Sequence, residues 1–158
     1  MVNGAPPLVE VRILGLPIDV YQETAEHTDE LRREFALIRE RDGEEGAHRV
    51  PSRLLELIER LGQQFQAFTG PQEVQLQEAV AQGDTSIDLF YRVPAEARQA
   101  CIDLRDMLDE ADEFCRDGQE LLTLAAPPRT VAFRNWFLDQ FVDQIDGGPP
   151  APWKDPSN

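Results

Sequence analysis

The first third of the chain changes from a strand-like to a helix-like spacing of its apolar residues. The segment Leu8–Leu14 alternates imperfectly between apolar and polar positions and is rich in branched side chains, which predicts a β-strand. A Gly-Leu-Pro sequence at residues 15–17 ends it. From Ile18 onward apolar residues recur every three or four positions, which predicts an amphipathic helix. This helix should end near Asp42 and Gly43, where glycine suits a left-handed cap.

A polar linker leads into a second helical stretch that begins at Pro51. Its apolar stripe continues at helical spacing from Leu54 to Phe68. A Thr-Gly-Pro sequence at residues 69–71 then predicts a break, because glycine ends helices and proline suits the first turn of the next one. Residues 72–82 are therefore predicted as a separate, weaker helix.

The second half of the chain repeats the order of strand, proline and helix. Alternation predicts a strand over Ile87–Val93, and helical spacing predicts a long helix over Pro94–Asp117. The short apolar segment Leu121–Ala125 is predicted as a third strand. After two prolines, a helix is predicted over Arg129–Ile145 that is apolar over most of its surface. It should be the most buried helix, or it could form the seam of a homodimer.

These elements predict a helix-dominated α+β fold with about five helices and a small sheet of about three short strands. Residues 1–146 are predicted as one globular domain, with residues 51–82 as a helical insert, and residues 147–158 as a Pro-rich flexible tail. Strand order and direction remain open. The alternative is a helical bundle with a vestigial sheet.

The strongly acidic composition changes which partners are plausible. Thirty acidic and 15 basic side chains give a formal net charge of -15. Binding to nucleic acid or to an anionic membrane surface is disfavoured, because both are driven by basic side chains. Basic or neutral partners are favoured through electrostatic steering. No apolar run approaches the roughly 20 residues of a membrane span and no secretory signal is visible, so a cytoplasmic location is expected.

One face of the predicted helix over Pro94–Asp117 is acidic. Its carboxylates recur at three- and four-residue steps, opposite the apolar face. This stripe predicts a docking surface for a basic protein partner, a divalent-ion site or the solvated face of an amphipathic helix, and the last interpretation is the simplest. The stripe consists of Asp103, Asp106, Glu110, Glu113 and Asp117.

The first helix carries the residues most suited to a ligand site. His27 lies on its apolar side, near Thr24 and Tyr21. The three could line a pocket for a small ligand, or His27 could act as the base of a hydrolase-like enzyme. The simpler interpretation is a histidine at the border of the core.

No established catalytic or cofactor motif accompanies these residues. The single lysine, Lys154, excludes a phosphate loop with its lysine, and no Gly-x-Ser-x-Gly elbow or Gly-rich nucleotide fingerprint occurs. Cys101 and Cys115 lie roughly 21 Å apart along one predicted helix, at ~1.5 Å rise per residue, so they cannot form a disulfide there. We therefore predict no catalytic residue, no metal and no cofactor.

Trp153 stands in the Pro-rich tail, where an aromatic side chain is unusual. It could anchor the tail in a groove on a partner or on the domain itself, or the tail could simply fold back and cover apolar surface. The sequence favours neither alternative.

Two segments carry a resemblance to a known group of proteins. They are residues 14–38, which begin Leu-Gly-Leu-Pro-Ile-Asp-Val-Tyr, and residues 132–153, which end Pro-Pro-Ala-Pro-Trp. Together they resemble uncharacterised actinobacterial proteins encoded near anti-sigma-factor ATPases and STAS-domain antagonists. The resemblance implies a non-enzymatic regulatory or adaptor protein that contacts an anti-sigma factor or its antagonist. The ATPase motifs are absent, and the Asp84-Thr85-Ser86 segment lacks the glycine expected after the phosphorylated serine of a STAS domain.

Overall fold

The computed structural model of the protein describes residues 7–118 and 125–156. Two strands pair with each other, and long helices fill the rest of the described chain. In chain order the elements are β1 (Leu8–Pro17), α1 (Ile18–Asp42), a short 3₁₀ helix (Gly43–Gly46), α2 (Val50–Gln82), β2 (Ser86–Pro94), α3 (Ala97–Asp117) and α4 (Pro128–Ile145).

The helix-dominated α+β class is confirmed, whereas the predicted element counts are each too high by one. The described residues form four α-helices and two strands, not about five and about three. The predicted third strand, Leu121–Ala125, falls on residues 121–124, which lie outside the described residues, and on Ala125, which is in no strand. The fifth helix is absent because the two helices predicted over residues 51–82 are one.

Helix α2 continues through Pro71, so the predicted break at this position is wrong. Proline has no backbone N–H, and the helical hydrogen bond to the carbonyl of Ala67 cannot form. The helix continues because Leu76 and Ala79, beyond the proline, are buried in the same apolar cluster as Phe65 before it. Burial on both sides outweighs the local loss of one hydrogen bond.

Strands β1 and β2 pair antiparallel along their whole length and form a two-stranded sheet. The register shifts once, where Leu14 and Gly15 of β1 lie opposite Asp88 alone. Gly15 has a φ of 66°, a conformation that glycine adopts without steric cost. Its N–H donates a 2.7 Å hydrogen bond to the Asp88 carboxylate, which holds the bulge.

The buried residues form two apolar clusters. In the first, the inner face of the sheet packs against α4 and the second half of α2, and Val11, Tyr91 and Phe141 are among its members. In the second, α1 packs against the first half of α2 and against α3, with Phe35 and Leu54 at its centre. Helix α2 contributes to both clusters and so connects them.

Two glutamines hydrogen bond to the outer edges of the sheet. The side-chain amide of Gln144 on α4 accepts from the N–H of Arg12 and donates to its carbonyl, at 2.8 Å each, as a neighbouring strand would. On the other edge, Gln72 of α2 donates to the carbonyl of Phe90 at 2.6 Å. Backbone groups that a third strand would bind are thus partly satisfied by side chains.

The tail folds back onto its own domain, where Trp153 contacts β1 and α4. Its backbone N–H donates to the Leu14 carbonyl at 3.2 Å. Its ring packs edge-on against Phe133 and Trp136, with centroids 5.7 and 5.5 Å away. The Trp136 indole N–H donates to the carbonyl of Ala151 at 2.8 Å. The tail thereby joins α4 to β1.

Candidate functional site

A cavity of about 420 Å³ opens between α1 and α2 and reaches inward to β2 and α4. This volume lies within the range of small-molecule sites. Most of its wall is apolar, with hydroxyl and carboxylate groups added at a few points. The described residues that line it are Tyr21, Thr24, Ala25, Thr28, Asp29, Thr69, Glu73, Leu76, Tyr91, Phe133, Phe137 and Phe141.

The aromatic part of the wall follows from the spacing of phenylalanines on α4. Phe133, Phe137 and Phe141 are four positions apart, so they lie on one face of the helix. Tyr91 projects from the inner face of β2 and meets this row, with its ring centroid 5.1 Å from that of Phe141 and 6.3 Å from that of Phe137. A sheet face and a helix face thus form one aromatic wall.

Polar groups at the cavity come from the two helices at its opening. Asp29 on α1 and Glu73 on α2 are exposed carboxylates. Burial raises the pKa of the Tyr21 hydroxyl, and the charges of Glu73 and Asp29 raise it further. Burial, the neighbouring Tyr21 and Glu73 also raise the pKa of Tyr91. Both hydroxyls therefore stay protonated at neutral pH and can donate as well as accept.

Two of the three predicted ligand residues line this cavity. Tyr21 and Thr24 are part of its wall, whereas His27 is not among the described residues that line it. The Thr24 hydroxyl donates to the Val20 carbonyl one turn earlier at 2.8 Å, which leaves its oxygen free to accept.

Sequence reasoning missed the wall residues contributed by other elements. Tyr91 was visible as a polar-tipped side chain on the inward side of a predicted strand, and the phenylalanines of α4 were visible by their spacing of four. Neither pattern indicates which helix packs against these aromatic residues across the cavity. Glu73 lies in an ordinary polar stretch of α2, so nothing in its local sequence marks it as a cavity residue.

The acidic stripe of α3 lies beside basic side chains of α2. Arg53 forms an ion pair with Glu110 at 3.3 Å. Asp103 accepts a hydrogen bond from Gln99 of its own helix at 2.9 Å. A surface groove between the helices, about 510 Å³ in volume, is lined by arginines as well as by three carboxylates of the stripe. Those groove residues are Arg53, Glu56, Leu57, Arg60, Asp103, Asp106, Met107 and Glu110.

A buried ion pair connects α3 to α4 and was not predicted. Arg134 is 8% exposed and Asp112 4% exposed, and their side chains are hydrogen-bonded. The second Asp112 oxygen accepts from the N–H of Ala126 at 3.1 Å, and Arg134 also contacts Asp109 at 2.9 Å. The contacts of Arg134 are made through one terminal guanidinium nitrogen, while its buried Nε has no hydrogen-bond partner among the described residues, and the cluster lies away from the cavity lining. Their arrangement is structural.

The cysteines are poorly suited to nucleophilic chemistry. Burial raises the pKa of the Cys101 thiol from 9.0 to about 12, despite the nearby Arg105. Burial also raises the pKa of Cys115 to about 11. Since the thiolate is the reactive form, both groups are held in the unreactive state at neutral pH.

Within residues 7–118 and 125–156, no helix is long and apolar enough to span a bilayer. No group of three or more His, Cys, Asp or Glu side chains in these ranges is arranged to hold a metal ion.

Comparison of the chain with protein families, with curated proteins and with solved structures found no match. No residue role is therefore transferred from a relative. The assignment of a function rests on the geometry of the cavity and of the surfaces around it.

Proposed function

We propose that this protein binds a small organic molecule in the cavity between α1, α2, β2 and α4 and acts as a ligand-responsive regulatory domain. The observation that carries this proposal is the combination of volume and lining. About 420 Å³ of space is bounded by an aromatic wall and by a few polar groups from α1 and α2. Apolar walls supply affinity, and a small number of placed polar groups supply orientation.

The position of the cavity supports a regulatory role. Phe133 lines the cavity and also forms part of the surface on which Trp153 packs. A ligand that displaces the Phe133 ring would therefore change the surface on which the Trp153 ring of the tail packs. Such a coupling would convert occupancy of the cavity into a change at the surface.

The experiment is a thermal-shift screen of a metabolite library against the wild-type protein and an Ala25→Trp variant. Ala25 lines the cavity, and an indole at this position should fill part of it. Compounds that bind in the cavity should raise the Tm of the wild type and leave that of Ala25→Trp unchanged.

Ala81→Trp is the matched control, because Ala81 is exposed near the end of α2. It should respond to the same compounds as the wild type does. The proposal fails if no compound stabilises the wild type, or if every compound that does so stabilises Ala25→Trp equally.

A second candidate function is that of an adaptor that binds a protein partner through α3. Asp106 and Glu113 of the acidic stripe are exposed, and the net charge of -15 favours a basic partner surface. The resemblance to proteins encoded near anti-sigma-factor ATPases and STAS antagonists names the class of partner.

This candidate is tested with the purified ATPase and antagonist from the same genome. An Asp106→Asn, Glu113→Gln double variant should weaken a complex by about fivefold at low salt. An Asp84→Asn, Glu26→Gln double variant makes the same change of charge at exposed positions elsewhere and should leave the affinity unchanged. Absence of a complex with both proteins would rule out this partner class.

A further inference from the structure

The charged side chains among the described residues that line the cavity are all of one sign. Asp29 and Glu73 contribute carboxylates, and none of the described lining residues is Lys, Arg or His. The charge of Glu73 reaches both tyrosines, because it raises the pKa of each hydroxyl. The potential at that end of the cavity is therefore negative. A carboxylate or phosphate ligand would be repelled there, and a cation would be attracted.

The aromatic wall favours the same kind of ligand. Tyr91 and the three phenylalanines of α4 carry negative potential on their ring faces. An ammonium group within about 6 Å of such a face is attracted, and more strongly when water is excluded. Aromatic side chains recognise quaternary ammonium ligands in this way.

A polar group also lies within the apolar part of the wall. Tyr91 is only 4% exposed, yet it lines the cavity. Its ring contacts Phe137 and Phe141, and burial together with Tyr21 and Glu73 raises the pKa of its hydroxyl. The oxygen can accept a hydrogen bond from the N–H of a bound amine.

We propose that the ligand of this cavity is an organic cation, an amine or quaternary ammonium group attached to an apolar body. The ammonium group lies beside Glu73 and Tyr91, where a carboxylate and an aromatic ring are both in reach, and the apolar body lies against the phenylalanines of α4. This inference rests on the proposed function, because it names the chemical class of the ligand that the cavity takes.

The experiment compares three probes that share one carbon skeleton and differ in their end group, which is positive, neutral or negative. Isothermal titration calorimetry with phenylpropylammonium, phenylpropanol and phenylpropionate measures affinity at low salt and neutral pH. The ammonium compound should bind about tenfold more tightly than the alcohol, and the carboxylate should bind most weakly. Added salt should weaken binding of the ammonium compound and not of the alcohol.

Glu73→Gln removes one charge at the cavity and should lower the affinity for the ammonium probe about tenfold, with little effect on the alcohol. Asp29→Asn should act in the same direction. Glu78→Gln is the control, because Glu78 is exposed on the same helix and is not among the described lining residues. Glu78→Gln should leave the preference for the ammonium probe over the alcohol unchanged.

Three outcomes would overturn the inference: equal or tighter binding of the alcohol or carboxylate, a charge preference unaffected by Glu73→Gln and Asp29→Asn, or no binding of any probe. These outcomes do not by themselves overturn the broader proposal that the cavity binds a small molecule, which the library screen tests. It stands if the library screen yields compounds that Ala25→Trp excludes, whatever their charge.

Discussion

Single side chains supply hydrogen bonds that a two-stranded sheet lacks. The amide of Gln144 pairs with both backbone groups of Arg12, and it also donates to the carbonyl oxygen of the Gln140 side chain at 3.2 Å. The same Gln140 oxygen accepts from the N–H of Ala151 at 2.9 Å. One small network of amide hydrogen bonds therefore links α4 to the edge of β1 and to the tail.

Replacement of Gln144 by methionine tests this network, because methionine keeps the length of the side chain and removes its hydrogen bonds. The partly buried N–H and carbonyl of Arg12 would lose their partner, and the free energy of unfolding should fall by about 2 kcal/mol. Urea denaturation measures the change. Gln63→Met, at an exposed position of α2, should change stability by less than about 0.5 kcal/mol. Equal effects of the two substitutions would contradict the role assigned to Gln144.

The raised thiol pKa values predict slow modification of the folded protein. A pKa of about 12 instead of 9.0 lowers the thiolate fraction of Cys101 at pH 8 by about a thousandfold. Cys115, with a pKa of about 11, should be lowered by about a hundredfold. A disulfide reagent should therefore react with both thiols far more slowly in buffer than in urea. Fast reaction of one thiol in the folded protein would indicate an activated cysteine and would contradict the raised pKa assigned to it.

At the scale of elements, α2 is a 33-residue helix that contains two glycines and a proline in its interior. Glycine lowers helix stability because it loses more backbone entropy than alanine does on folding. A Cβ atom added at Gly62 or Gly70 would meet no atom within 4 Å. Neither glycine is required by close packing.

Gly70→Ala and Gly62→Ala should each stabilise the protein by roughly 0.5–1 kcal/mol. Gly70 precedes Pro71, where the helix lacks one hydrogen bond, and Gly62 lies eight residues earlier in an uninterrupted part of the helix. Thermal and urea unfolding of both variants give the comparison. If Gly62→Ala raises the free energy of unfolding and Gly70→Ala lowers it, the backbone at Gly70 needs the conformational freedom of glycine.

At the scale of the whole molecule, the tail connects regions that are far apart in sequence. Trp153 bonds to β1 through its backbone and packs on α4 through its ring. Arg129, at the start of α4, extends the connection through ion pairs to Asp19 of α1 at 3.2 Å and Asp155 of the tail at 3.3 Å. The first strand, the first and last helices and the tail thus form one contact region.

Trp153→Ala should lower the free energy of unfolding by about 2–3 kcal/mol, because a large, partly buried aromatic side chain loses its contacts. Leu37→Ala is the control, since Leu37 is 67% exposed and should contribute less than about 0.5 kcal/mol. Denaturation followed by circular dichroism measures both. If Trp153→Ala lowers the free energy of unfolding no more than Leu37→Ala does, the packing of Trp153 adds nothing to the stability of the domain.

The elements whose signals are local could be predicted from the sequence. The start of the first strand at Leu8, the end of α1 at Asp42 and the helix from Arg129 to Ile145 follow from spacing and capping. The predicted end of the first strand at Leu14 is wrong, because β1 continues past the bulge at Gly15 and pairs with β2 up to Pro17. Pro71 is where a local rule failed, because the burial of Leu76 against a distant part of the chain outweighed the tendency of proline to end the helix.

The amino-acid sequence by itself thus determined the α+β class, the positions of most helices and strands, and the acidic surface, because each depends on neighbours along the chain. Only the tertiary structure decided that α2 is continuous, that the strands are antiparallel and that Trp153 packs on Phe133. It alone brought Tyr21, Glu73 and Tyr91 to one cavity. The physical reason is that contacts between residues tens of positions apart depend on how whole elements pack, and no local pattern encodes that packing.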